Sequence, residues 1–107
     1  MTDPTRRQLS TLLDALEDEM REIALWQGTP PPREAFESSV PFFADQMAFS
    51  EWLQWVFVAR FRAIIEGGHP LPDNCQVAPM AEEALRGMNT DVSRITMLLV
   101  EVDSLFD

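Results

Sequence analysis

The sequence has few of the residues on which metal sites and catalytic sites are commonly built. It contains one cysteine, Cys75, and one histidine, His69, so it can form neither an intrachain disulfide nor a zinc site of several cysteines. The spacing of His69, Asp73 and Cys75 matches no tight-binding metal motif, and no third group is visible that would orient a Cys75–His69 pair for catalysis. We therefore expect a protein that is not an enzyme, with no catalytic residue, no metal ion and no cofactor.

Long apolar runs and positive charge are also scarce. The longest uninterrupted apolar run extends from Trp55 to Ala59, far short of the roughly 20 residues of a membrane span, and the N-terminus has no segment of the signal-peptide type. Eight basic residues, all arginines, face eighteen acidic ones, which gives a net charge of −10. Such a surface repels nucleic-acid phosphates and anionic lipids and favours a basic protein. We expect a cytoplasmic, soluble protein that binds neither membrane nor nucleic acid directly.

The residues that are present predict a single helical domain over 1–107. Hydrophobic residues make up 46% of the chain, enough to build one core, and they recur at helical spacing in four stretches. No strand pattern or internal repeat is visible. The expected fold is all-α, a compact helical bundle of four helices. The first is expected from Pro4 to a stop at Gly28, and the second from Ser50 to about Glu66. The third is expected from about Pro79 to Arg86, and the fourth should be capped by Asn89 or Thr90.

The connection between the first two helices is long and rich in aromatic residues. Three prolines at 30–32 stop the first helix, Arg33 to Ser38 has the length of one helical turn, and residues 40–49 carry three phenylalanines. The second helix has apolar residues around nearly its whole circumference, which is typical of a helix covered by its neighbours. We expect this crossover to fold back over the second helix.

One block of sequence is distinctive enough to suggest a family. Residues 41–60 read PFFADQMAFSEWLQWVFVAR, and they are followed by Leu71-Pro72 and by VAPMAEEAL at 77–85. With these segments the chain resembles the YqcC-like family of small bacterial proteins over nearly its whole length. The resemblance implies an all-α bundle without an assigned biochemical role. Because members of that family are often encoded beside a tRNA pseudouridine synthase, it also implies a link to tRNA modification.

Two groups of residues are candidates for a functional site. Neighbouring aromatic side chains cannot all point into one small core, and exposed aromatics are favoured anchors at interfaces; the candidate interaction surface is Phe36, Phe42 and Trp55. A carboxylate and an arginine in a half-buried cleft could form a polar site, and the candidates are Asp45, Glu51 and Arg60. Alternatively, Arg60 pairs with Asp45 or Glu51 and only ties the crossover to the second helix.

These features lead to competing hypotheses about function. The first is a non-enzymatic protein-interaction module whose partner is another protein, such as a tRNA-modifying enzyme, or a second copy of the chain in a homodimer. The alternative is a small-molecule binding domain or minor enzyme with a pocket between crossover and second helix, which requires at least two convergent charged groups. Direct RNA binding ranks last, because Arg60 and Arg62 lie about 200° apart on a helix.

Overall fold

The computed structural model describes residues 4–40 and 47–106, and this part of the chain contains helices and no strand. The all-α prediction is confirmed. In chain order the elements are α1 (Pro4–Glu22), a 3₁₀ turn (Arg33–Glu37), α2 (residues 49–67), α3 (Ala78–Ala84) and α4 (Ser93–Ser104). Helix α2 is continuous, although its hydrogen-bonding pattern changes along its length.

Helix α1 covers Pro4–Glu22 of the described chain, so it ends earlier than the predicted stop at Gly28. Ala24 adopts a left-handed conformation with φ of 62°, and the amides of Leu25 and Trp26 donate to the carbonyl of Met20 at 2.7 and 3.2 Å. An alanine carries no local signal for this conformation, which is usually left to glycine. The helix ends here because Leu25 and Trp26 turn back to pack on the core, a tertiary effect that local propensity does not report.

Helix α2 changes its winding where it is most deeply buried. It is α-helical over Phe49–Trp52, π-helical over Leu53–Val58 and α-helical again over Ala59–Gly67. The π-helical segment contains five buried residues: Leu53, Gln54, Val56, Phe57 and Val58. The carboxylate of Glu51 accepts from the Ala48 amide at 2.8 Å at the start. Gly68, with φ of 66°, follows the last helical residue, Gly67, close to the predicted end at about Glu66.

Helices α3 and α4 pack against each other and are joined by two hydrogen bonds to one carboxylate. The Asp103 carboxylate of α4 accepts from the amides of Val77 and Ala78 at 3.0 and 2.8 Å, at the start of α3. The predicted cap of α4 by Asn89 or Thr90 is wrong, because the helix begins at Ser93. Asp91 accepts from both the amide and the hydroxyl of Ser93, and these bonds lower the pKa of Asp91.

The main core lies where α1, α2 and α4 meet, with α3 covering one end. Its completely enclosed side chains include Leu9, Leu13 and Leu16 of α1 and Ile95 and Leu99 of α4. Aromatic rings continue the core along α2, where Phe57 and Phe61 meet edge to face with centroids 5.0 Å apart. This interleaving of α1, α2 and α4 is the compact bundle that the helical spacing predicts.

The described part of the crossover covers the N-terminal half of α2. Ala35 of the 3₁₀ turn and Met47 are buried against Val56, with Phe36 and Trp52 packed around them. The predicted fold-back over the second helix is therefore present in the described parts of the crossover, which lie before residue 41 and after residue 46. The C-terminal half of α2 is more open, since Ala59, Arg60, Ala63 and Glu66 are exposed.

Candidate interaction surface

Helix α2 has two unlike faces beyond its buried side, and each contains one arginine. Arg62 points towards α1, and Arg60 points towards the connection between α2 and α3. The two residues lie about 200° apart around the helix. The chemistry available to the protein differs between these two faces.

The face towards α1 is closed by ion pairs. Arg62 donates to Asp14 and to Glu17, each at 3.0 Å, and Arg21 donates to the other oxygen of Glu17 at 3.0 Å. The Arg21 guanidinium also lies over the Trp26 ring, 5.2 Å from its centroid, at a cation–π distance. Each cation in this cluster already has an intramolecular partner, so the face is built for structure.

Buried Gln54 anchors the start of the crossover on the same side. Its side chain is 5% exposed, accepts from the backbone amide of Gln27 at 2.7 Å and donates to the Gln27 carbonyl at 2.7 Å. Both ends of the Gln54 amide are therefore satisfied by one backbone residue, as burial requires. The Trp55 indole donates to the Gln27 side chain at 3.3 Å. Sequence reasoning missed this arrangement, because nothing in the local pattern links residues 27 and 54.

The opposite face of α2 is an open apolar groove against the connection that follows the helix. Its cavity volume is about 520 Å³, and its apolar lining includes Val56, Phe57, Phe61, Ile64, Pro70 and Pro72. Arg60, Asn74 and Gln76 supply polar groups, and all three are exposed. No aspartate or glutamate of the described chain lines it. We call this feature the Arg60 groove.

The groove departs from the predicted pocket in position and in charge. The sequence placed a pocket between the crossover and α2, whereas the Arg60 groove lies mainly against the second connection. The small-molecule hypothesis required two convergent charged groups, and Arg60 is the one charged side chain among the groove-lining residues of the described chain. Among the described residues the groove thus has the apolar surface that the hypothesis expected and one of the two charged groups that it needed.

The predicted polar site does not form around Glu51 and Arg60. Glu51 uses its carboxylate on the Ala48 amide, and no ion pair joins Arg60 to Glu51 or to any other carboxylate in the described residues. Of the two expected pairs, the one with Glu51 is absent, because Glu51 bonds to the Ala48 amide at the start of α2 while Arg60 faces the groove. The pair with Asp45 stays a prediction. Asp45 lies outside the described residues.

The predicted aromatic surface is divided over different places. Phe36 is half-buried on the small cluster of Ala35, Met47 and Val56. Trp55 is half-buried on the face towards α1, with its indole N–H directed at Gln27. Phe42 lies outside the described residues. Phe36 and Trp55 therefore do not make up one exposed patch by themselves, and neither of them lines the Arg60 groove.

Cys75 lies at the edge of the Arg60 groove in a setting unsuited to nucleophilic chemistry. Burial raises the pKa of its thiol to about 12, helped by a hydrogen bond to Asp103 and by the negative charge of that carboxylate. With this pKa the thiol stays protonated at neutral pH, whereas the thiolate is the form that acts as nucleophile or metal ligand.

Within the described ranges no three His, Cys, Asp or Glu residues are grouped as metal ligands. No helix there is both long and apolar enough to cross a membrane.

Comparison with known proteins assigns the chain to a family. Residues 8–105 match the family model described as DUF446: tRNA pseudouridine synthase C. The chain belongs to the DUF446 family. One relative is an uncharacterised protein of Haemophilus influenzae, which is 39% identical over 94% of this chain and 93% of that protein. Another is the uncharacterised protein YqcC of Escherichia coli, which is 37% identical over 94% of this chain and 90% of that protein.

A solved structure and a longer relative extend the comparison of this DUF446 chain. The solution NMR structure of E. coli YqcC superposes with a TM-score of 0.83 at 36% identity, covering 97% of this chain and 89% of that one. The resemblance to YqcC is thus confirmed in sequence and in fold. A protein of Pectobacterium carotovorum named tRNA pseudouridine synthase C is 43% identical over 65 residues, which are 61% of this chain but 17% of that relative.

Proposed function

We propose that this DUF446 chain is a non-catalytic, cytoplasmic interaction module that binds a tRNA pseudouridine synthase. The observation that carries the proposal is the Pectobacterium relative, in which a segment similar to this chain makes up 17% of a protein named tRNA pseudouridine synthase C. Joining two parts in one chain raises their effective concentration, so the link favours parts that work together. A separate chain of the same kind must reach its partner by binding.

The charge of the chain supports a basic partner of this kind. Proteins that bind RNA carry positively charged surfaces, and a net charge of −10 attracts such a surface over a Debye length. On α1 the exposed residues Asp14, Asp18 and Glu22 recur at four-residue steps, which aligns them on one solvent-facing stripe. We assign this acidic stripe to steering, because exposed charges raise the association rate more than they raise affinity.

A binding role rather than catalysis agrees with the chemistry of the described residues. The thiol of Cys75 is held protonated by its raised pKa. Arg62 and Arg21 are engaged in ion pairs with α1 carboxylates, and Arg60 faces the groove without a second charged group beside it. An acid–base pair for catalysis needs two groups within hydrogen-bond reach of a substrate, so contact surface is the better supported means of action.

A binding measurement tests the proposal directly. The chain and the tRNA pseudouridine synthase of the same bacterium are purified separately and titrated by isothermal calorimetry at low and at physiological ionic strength. We expect saturable binding with one chain per synthase and a weaker affinity at higher salt. Absence of binding at the lowest salt would overturn the proposal.

A double charge reversal tests whether the acidic stripe itself, rather than the net charge of the chain, steers the encounter with the synthase. Asp18→Arg with Glu22→Arg should lower the association rate several-fold and leave the dissociation rate nearly unchanged. The control is Glu82→Arg combined with Glu101→Arg, which changes the net charge by the same amount. These two exposed residues lie on α3 and α4, outside the stripe. Equal slowing by both pairs would mean that overall charge alone, and not the stripe on α1, guides the encounter. The molar mass of the chain alone shows whether it forms a homodimer instead.

A further inference from the structure

We infer that the Arg60 groove is the docking site for an apolar segment of that synthase, and that this segment carries a carboxylate which pairs with Arg60. The inference rests on the proposed function and names the surface that makes the contact. It assigns to Arg60 a role in recognition that is separate from the acidic stripe on α1.

The lining of the groove is apolar and held in place on two sides. Phe57 and Phe61 are in edge contact with each other on α2, and Pro70 and Pro72 restrict the backbone of the opposite wall. A surface that is rigid before binding loses little conformational entropy on association. Covering it removes apolar area from water, which stabilises a complex in proportion to that area.

The positions of the polar groups favour a protein segment over a small molecule. Small-molecule sites hold a few polar groups deep in the cavity, where they converge on the ligand. Here Arg60, Asn74 and Gln76 are all exposed, while the apolar residues Val56, Phe57 and Phe61 are buried. An apolar centre with polar groups at the rim is the arrangement of a protein–protein interface.

Charge specifies the chemistry of the segment. The chain has eighteen acidic residues, yet none within its described part lines this groove. Arg21, Arg62, Arg86 and Arg94 each lie within ion-pair distance of a carboxylate of the chain. Arg60, like Arg7 and Arg33, makes no such pair with a described residue, and of these three it is the one that lines the groove. A carboxylate on the docked segment would complete the same pairing across the interface, where the guanidinium offers two parallel donors.

The test compares two charge reversals that change the net charge equally. Arg60→Glu places a negative charge at the groove, and Arg33→Glu does the same at an exposed position of the 3₁₀ turn, outside the groove. Both sites are exposed, so both variants should fold, which thermal unfolding verifies. We expect Arg60→Glu to weaken binding of the synthase at least about tenfold, while Arg33→Glu changes the dissociation constant less than about twofold. Arg60→Lys should lie between wild type and Arg60→Glu, because it keeps the charge and loses the forked geometry.

A mapping experiment gives an independent readout. NMR spectra of the ¹⁵N-labelled chain, recorded as unlabelled synthase is added, should change most at residues 60–64 and 70–77. Equal losses of affinity for Arg60→Glu and Arg33→Glu, or changes confined to the stripe on α1, would overturn the groove assignment while the proposed function stands. A synthase that does not bind the wild-type chain would overturn both. If groove variants alter self-association of the chain, its occupant is a second copy and the inference is wrong.

Discussion

Arg60 and Arg62 lie on the same helix two positions apart, and their surroundings are opposite. Arg62 is held between Asp14 and Glu17 of α1 at 3.0 Å from each. Arg60 faces a groove lined by apolar side chains, with no acidic residue of the described chain along it. One face of α2 is thus completed by the chain itself, while the other has apolar surface and a cation that a partner could complete.

Under the proposed function, one face of this helix serves stability and the other serves recognition. On the closed face the neighbouring helix supplies the counter-charges, so the arginines there contribute to the stability of the native state. On the groove face the neighbour is a short connection with two prolines and an exposed surface, so apolar area remains available. We therefore expect substitutions on the closed face to change the free energy of unfolding and substitutions on the groove face to change binding.

The largest effect should come from the core that supports the closed face. Leu16→Ala removes a side chain that is 0% exposed, and the resulting cavity should cost about 3 kcal/mol of unfolding free energy. Ile64→Ala, on the half-buried wall of the groove, should cost about 1 kcal/mol. Urea denaturation of both variants measures the difference. A larger loss for Ile64→Ala would show that the groove, too, is part of the stabilising core.

Asp103 should come next, because it connects α4 to the start of α3. Asp103→Ala removes the acceptor of two backbone amides, those of Val77 and Ala78, and should lower the unfolding free energy by about 2 kcal/mol. It should also lower the pKa of Cys75, since the hydrogen bond and charge of Asp103 both raise it. Faster alkylation of Cys75 at mildly alkaline pH in folded protein would show this. An unchanged alkylation rate would mean that burial alone protects the thiol.

Gln54 tests the link between α2 and the crossover. Gln54→Leu keeps much of the volume but loses both bonds to the Gln27 backbone, so it should cost about 1.5 kcal/mol. Gln27→Ala is the matched control, because it retains those backbone bonds and loses only the contact to the Trp55 indole. Thermal unfolding of both variants measures the effect. Equal losses would mean that the side chain of Gln27 matters as much as its backbone.

The two arginines should differ only slightly in their effect on stability. Arg62→Ala breaks partly exposed pairs with Asp14 and Glu17, which should cost about 0.5 to 1 kcal/mol and less at high salt. Arg60→Ala should change the unfolding free energy by less than about 0.5 kcal/mol. Urea unfolding at two salt concentrations measures both. A salt-dependent loss on replacing Arg60 would show that it has an intramolecular partner, and the comparison of the two faces would fail.

A titration sharpens the description of the groove edge. The pKa of Cys75 is about 12 in the folded chain against a usual value of 9.0, so the unfolded chain releases its thiol proton first as the pH rises. The folded state should therefore lose stability as the pH increases from about 9 to about 12. The chain has no tyrosine and no lysine, so few other groups titrate in this window. Cys75→Ala should remove this loss, and an equal loss in that variant would assign it to other groups.

The candidate site was only partly predictable from the sequence. Arg60 stood out as a polar residue within a nearly all-apolar helix, and of its two expected partners Glu51 is not paired with it, while Asp45 lies outside the described residues. Glu51 was recognised as a nearby carboxylate, although at the start of a helix it bonds to the Ala48 amide. The walls formed by Ile64, Pro70 and Pro72 were missed, because their closeness depends on how the connection turns after Gly68.

The sequence by itself determined the helical class, the negative charge, the family and those helix ends marked by proline or glycine, because hydrophobic spacing, charge and backbone restriction act over a few neighbouring residues. Only the tertiary structure decided the end of α1 just before Ala24, the Gln27–Gln54 contact and the unlike surroundings of Arg60 and Arg62. These features depend on residues far apart in the chain. Their pairing arises when the helices pack, and no local pattern contains it.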